Sequence, residues 1–157
     1  TRALREQAGK LAHSTLLGAS NIPAIELAEE LLRIAPKNLS RVFYSDSGST
    51  AVEIALKMAF QYWQQNGQTK RKRFLHFVNA YHGDTVGSVS VGGIDLFHKV
   101  YGPLLFKGFK VPTEDSLRTF KETLKAHHHE IAAVVVEPLM QGAAGMILQP
   151  PGWLKQV

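Results

Sequence analysis

Three short polar stretches carry the residue types that bind or move small charged groups. The first is residues 45–50 (SDSGST), a Gly-containing turn that opens a helical stretch. Backbone N–H groups at a helix start lack intrahelical acceptors and lie at the positive end of the helix dipole, so a phosphate or carboxylate fits there. Gly48 lets an anion come close to the backbone, and Ser49 and Thr50 add hydroxyl donors. The same pattern also serves as an ordinary cap with no ligand. It is not a Walker loop, because no lysine follows the glycine at the required place.

The second stretch is Tyr81-His82-Gly83-Asp84, placed just after an apolar run. An aromatic at a strand's C-terminal end can stack on a flat ring, and His82 and Asp84 beside it could orient polar groups. The alternative is a loop tyrosine packed on the core with a solvated histidine and aspartate. The third is Glu137-Pro138 at the end of IAAVVV. A carboxylate beside an apolar stretch is costly unless it is paired or exposed, so Glu137 either partners a site group or faces solvent. Residues 141–145 (QGAAG) make a turn beside it. His127-His128-His129 is a weaker metal candidate: consecutive helical residues point about 100° apart, so the three cannot converge on one ion. A solvated helix end is the expectation there.

These groups need elements to hold them. Residues 1–11 and 153–157 each read as part of a helix, which suggests excision from a longer chain. Asn21-Ile22-Pro23 starts a helix with apolar positions at Ile25, Leu27, Ala28, Leu31 and Leu32. Residues 41–44 (RVFY) read as a strand. Residues 51–64 form the clearest helix, with Val52, Ala55, Leu56, Ala59 and Trp63 on one face, a Thr50-x-x-Glu53 capping box, a Glu53–Lys57 pair, and Asn66-Gly67 as its stop. Strands are expected at 74–78, 106–111 and 131–136, and an amphipathic helix at 115–129. Strands alternating with helices define an α/β domain with a mostly parallel sheet and flanking helices. If the strands that end at the three polar stretches are neighbours, one cleft collects all three.

Composition narrows the class. The 157 residues carry 18 Lys and Arg against 13 Asp and Glu, a net charge of +5, and no cysteine. Absence of thiols fits a reducing, cytoplasmic setting. No apolar run reaches the roughly 18–20 residues that span a bilayer, and no signal peptide opens the chain, so no membrane role is expected. The densest basic run, Lys70 to Arg73, has no aromatic within it and reads as a solvated surface, not a nucleic-acid site.

Together, VFYSDSGSTAVEIALKMAFQYW (42–63), NAYHGDTVGSVSVG (79–92) and HEIAAVVVEPLMQGAAGM (129–146) resemble the class III aminotransferases that use pyridoxal 5'-phosphate (PLP). HSTLLGASNIPAIELAEELL (13–32) supports the match, which covers nearly the whole chain. The resemblance implies that residues 1–157 form an incomplete large, PLP-binding domain of a fold-type I aminotransferase. It implies that Gly48 and Ser49 hold the cofactor phosphate and that Tyr81 lies against the pyridine ring and borders the substrate pocket. It further implies that His82 follows Tyr81 in the cofactor-binding motif, that Asp84 lines the pocket near substrate, and that Glu137 is the acid behind the cofactor.

Some family features have no match here. No DE-x-x-TGFGR-like motif supplies the pyridinium partner, and no lysine stands in the Schiff-base context, so no catalytic lysine is assigned and this stretch alone is expected to be inactive. The segment between Pro112 and Thr113 is shorter than the family's polar loop. Ala143, where many relatives that use glutamate or ornithine carry an acid, matches the branch acting in biotin synthesis. That branch implies amino transfer from S-adenosylmethionine to 8-amino-7-oxononanoate, by a homodimer with small-molecule donor and acceptor. A lysine-dependent version of the same step, another class III ω-aminotransferase, or a non-catalytic phosphate-binding α/β module are the alternatives.

Overall fold

The computed structural model describes residues 1–112 and 116–157, which divide into two units, 1–44 and 45–157. In the first unit lie α1 (Arg2–Lys10) and α2 (Ile22–Ile34). The Asn21 side chain caps α2 by accepting from the Ala24 N–H at 3.0 Å, with Pro23 in the first turn. The Tyr44 hydroxyl donates to the Ala24 carbonyl at 2.5 Å and ties the end of this unit to the start of its helix. No residue of 1–44 is buried. The strand expected at 41–44 does not form. A strand exists only by pairing, and the ladders of the described residues all lie elsewhere.

The second unit begins with α3 (Gly48–Gln65) and continues through β1 (Arg73–Phe77), α4 (Val86–Ser90) and α5 (Asp95–His98). A 3-10 turn (Lys99–Leu104) leads to β2 (Phe109–Val111), α6 (Ser116–His127) and β3 (Ile131–Val134). A small antiparallel hairpin, β4 (Met140–Gln141) and β5 (Ile147–Leu148), precedes a 3-10 turn at Trp153–Lys155. The main sheet is parallel with order β2-β1-β3, Leu75 opposite Phe109 on one side and Val134 on the other. The second and third expected strands are therefore present but shorter, at 109–111 and 131–134. Asp115, where a helix was expected to start, and the junction after Pro112 lie outside the described residues, and α6 stops two residues short of His129.

Alternation along β1 sends its side chains to two layers. Leu75 and Phe77 pack with Val111, Ile131, Phe120 of α6 and Trp153. Phe74 packs with Val91, Ala132 and Leu56 of α3, flanked by Val52, Ala59 and Trp63. The Trp63 indole donates to the Ala132 carbonyl at 2.7 Å and locks α3 to β3. Ala55, expected on this face, is exposed. Gly67, at φ 73°, ends the α3 region as expected of Asn-Gly. Among the described residues no helix is long and apolar enough to cross a membrane.

Candidate functional site

The helix that presents the anion-binding turn starts earlier than its sequence suggests. Ser47 is the N-cap: its hydroxyl accepts from the Thr50 N–H, and the Thr50 hydroxyl accepts from the Ser47 N–H at 2.9 Å. The expected box of Thr50 with Glu53 is thus replaced by one of Ser47 with Thr50. The cause is register: with Gly48 as the first helical residue, Thr50 stands at the third position and reaches back itself. The first-turn amides of Gly48 and Ser49 take no part in this box. A Cβ built on Gly48 would meet nothing within 4 Å, so the space over this end of α3 is open.

Released from capping, Glu53 turns away from the expected partner Lys57. Its Oε1 accepts from the Gly87 N–H at 2.6 Å, on α4. Two more bonds join the same surfaces. The Ser88 hydroxyl donates to the Ser49 carbonyl at 3.1 Å, and the Asp84 N–H donates to Ser49 Oγ at 3.2 Å. A hydroxyl oxygen that accepts an N–H still has its own proton to give. Ser49 is therefore oriented as a donor beside the open helix end.

The loop after β1 begins with Asn79 in the left-handed region at φ 64°, a conformation that Asn tolerates better than most residues. Gly83, at φ 122°, lies so close to α3 that a Cβ would fall 1.9 Å from Ser49 Oγ. Only glycine fits both the backbone angle and the contact. The Tyr81 hydroxyl donates to Asp84 Oδ2 at 2.7 Å, and its ring lies nearly parallel to the His98 ring, 15° apart in plane and 6.4 Å between centroids. The hydrogen bond to Asp84, then burial, raise the Tyr81 phenol above its ordinary range. Burial lowers the His82 imidazole, opposed by the charge of Glu137. Its Nε2 is buried without a hydrogen-bond partner among the described residues.

Glu137 follows β3, the neighbour of β1, and its carboxylate holds two backbones at once. Oε2 accepts from the Tyr81 N–H at 3.1 Å and Oε1 from the Gly142 N–H at 3.0 Å. Gln141, buried at 2 % exposure, donates from Nε2 to the Val78 carbonyl at 2.7 Å. The QGAAG turn is thereby fastened to the start of the Tyr81 loop. Gly48, Ser49, Tyr81, His82, Asp84 and Glu137 thus fall within one continuous bonded framework. The first pair reaches it from a helix start with no strand ahead of it, and the others from the C-terminal ends of two adjacent strands.

The sequence assigns Glu53 to a helix cap and Gln141 to a turn, and gives neither these two nor Ser88 and His98 a place in the site. A helical carboxylate facing a small-residue segment (VGSVSVGG) was the available signal for Glu53, since a glycine can be pressed against it. The triple histidine stands apart from this framework: His127 Nδ1 lies 3.0 Å from Glu130 Oε1 and its ring stacks on Phe109 at 4.5 Å. No cluster of His, Asp and Glu able to hold a metal occurs among the described residues.

A parallel α/β sheet with an anion-ready helix start, an aromatic loop and a half-buried, doubly hydrogen-bonded acid at adjoining strand ends is the framework of an aminotransferase, and the chain belongs to the class-III aminotransferase family, whose match extends over residues 1–157. Among curated relatives it is 51% identical over 170 residues to the adenosylmethionine-8-amino-7-oxononanoate aminotransferase of Anoxybacillus flavithermus, covering 99% of this chain and 37% of that protein. It is 53% identical over 171 residues to the enzyme of the same name from Nitratidesulfovibrio vulgaris, covering 98% of this chain and 32% of that protein. The chain therefore spans about a third of the length of the curated relatives it matches. The crystal structure of the like-named enzyme from Methanocaldococcus jannaschii superposes with a TM-score of 0.96 at 46% identity, over 99% of this chain and 36% of that one. An amine transaminase from an uncultivated Pseudomonas species, in its PLP-bound form, superposes with a TM-score of 0.89 at 34% identity, over 99% of this chain and 39% of that one.

Proposed function

We propose that these residues are the cofactor-holding part of a PLP-dependent aminotransferase that passes an amino group from S-adenosylmethionine to 8-amino-7-oxononanoate. The observation that carries this reading is the Asp84 N–H to Ser49 Oγ bond, which fastens the anion-binding start of α3 to the loop that bears the stacking tyrosine. Phosphate and ring of one ligand need those two features side by side. The residues fit PLP: the open space over Gly48 admits a phosphate to the backbone, and the Ser49 hydroxyl is left with a proton to donate.

When bound, PLP supplies an electron sink for the carbon that loses or gains a proton. The protein's share is binding and orientation. Gly48 and Ser49 hold the phosphate, Tyr81 lies against the ring, and His82 follows it in the same cofactor-binding loop. Asp84, which fixes the Tyr81 hydroxyl, faces the amine-bearing substrate. Glu137 fixes the backbone of Tyr81. The biotin-branch donor and acceptor are supported by the names of the relatives and by Ala143, which leaves the QG turn without an extra carboxylate. We read residues 1–157 as part of the large domain of a cytoplasmic homodimer, with the proton-transferring lysine supplied outside this stretch.

The test is direct. The intact protein, reconstituted with PLP, should aminate 8-amino-7-oxononanoate with S-adenosylmethionine and not with lysine; use of lysine alone would replace the donor, and turnover of neither would reject the biotin branch. Gly83→Ala should weaken PLP binding at least tenfold, because a strain of about 1–3 kcal/mol enters at φ 122° and the new methyl displaces Ser49 Oγ. Unchanged PLP affinity would separate Ser49 from the phosphate.

A further inference from the structure

Glu53 lies one turn after Ser49 on α3, half-buried, with its carboxylate against α4. A charged oxygen accepting from a backbone N–H at 2.6 Å is a strong form of hydrogen bond. The opposing residue is Gly87, where a Cβ would fall 2.2 Å from Oε2 and 2.6 Å from both Cδ and Oε1. Gly87 has no positive φ, and the nearest atoms a Cβ would meet all belong to the Glu53 carboxylate, so a side chain there would push that carboxylate off the Gly87 N–H. Around this contact the Thr85 hydroxyl donates to Ser88 Oγ at 2.9 Å, and Ser88 donates to the Ser49 carbonyl at 3.1 Å. The segment that carries Asp84 is therefore clamped to α3 at both ends: at Asp84 itself through Ser49, and at Gly87 through Glu53.

We propose that Glu53 is a positioning residue, which sets the distance between the anion-binding start of α3 and the Tyr81–Asp84 loop by holding Gly87 against the helix. It touches neither phosphate nor ring and acts through Ser49 and Asp84. The proposal rests on the cofactor reading above for its effect on PLP, but its geometry does not depend on that reading. Without the carboxylate, the Gly87 N–H loses its acceptor, α4 shifts from α3, and the Asp84 amide leaves Ser49 Oγ. The Tyr81–Asp84 bond, which depends on where Asp84 stands, loosens with it.

The intact protein carrying Glu53→Ala, Glu53→Gln or Gly87→Ala tests this. PLP affinity is read from the visible absorbance on titration into apoprotein, and the Tyr81 phenol is followed by NMR with ring-labelled tyrosine in apoprotein. Glu53→Ala and Gly87→Ala should each weaken PLP about tenfold, the loss of one charge-assisted hydrogen bond. Both should also move the Tyr81 phenol back toward its ordinary value of 10.0. Glu53→Gln keeps an acceptor oxygen for Gly87 and should restore PLP affinity to within about threefold. Lowered melting temperature with unmoved Tyr81 titration in all three would mean that Glu53 only stabilises the fold, and the proposal would fall. If the wild-type apoprotein takes no PLP yet Glu53→Ala still shifts Tyr81, the positioning stands and the cofactor reading is the part that fails.

Discussion

Leu27 and Leu75 have the same side chain and opposite fates. Leu27, on α2, is 50% exposed, whereas Leu75, in β1, is fully buried between two layers. The contrast holds across the units to which they belong. In residues 1–44, Ile25, Leu31 and Ile34 are also exposed, and order comes from local devices: the Asn21 cap, Pro23 in the first turn, the Tyr44 to Ala24 bond. In residues 45–157, a sheet supplies two faces and helices cover both. Helical periodicity is enough to write an apolar stripe, but only a second surface turns that stripe into stability.

The comparison can be broken most sharply at Leu75. Leu75→Ala should cost the 157-residue chain about 3 kcal/mol, read from urea denaturation followed by tryptophan fluorescence; a cost below about 1 kcal/mol would place the core elsewhere. Close behind comes pH. Burial, with the nearby Lys110 charge and His82 adding to it, lowers His76 from 6.5 to about 4. The folded chain holds this imidazole neutral while the unfolded chain protonates it below 6.5. Stability is therefore complete above 6.5, falls as pH drops from there to about 4, and levels off below; the span is about 3 kcal/mol. His76→Gln should flatten that window, and an unchanged slope would assign the acid sensitivity to other groups.

Smaller effects belong to the first unit. Asn21→Ala should cost about 1 kcal/mol, seen as faster hydrogen exchange through the first turns of α2 with β1 unaffected. Leu27→Ala should change urea stability by only about 0.5 kcal/mol. A loss there as large as that at Leu75 would erase the distinction between the units.

Much of this was legible in the residues. The long apolar face of α3, its stop at Asn66-Gly67, the apolar strand at 131–134 and the polar loop after β1 each rest on local patterns, and the structure contains them. RVFY was misleading because strand propensity says nothing of a partner edge. The sequence points to a cap three residues late because Thr50-x-x-Glu53 fits the capping box by residue type, whereas the box that forms is closed by the Thr50 hydroxyl on Ser47 and Glu53 accepts from the Gly87 N–H instead. Of the site, the residue types were readable, while their bonding was not. Sequence spacing cannot reveal that Asp84 meets Ser49 35 positions away, or that Glu137 spans two backbones.

That last arrangement restricts what can ever stand at position 137. Its two oxygens face two donors, the amides of Tyr81 and Gly142, so the position asks for acceptors on both sides. Glutamine offers one acceptor and turns an NH2 toward the other amide, and aspartate is one methylene too short to reach both. In a saturation-mutagenesis library selected for function, codon 137 should come back almost monomorphic, although this carboxylate forms no ion pair with a lysine or arginine among the described residues. Selection would be reading the geometry of two loops through a single side chain.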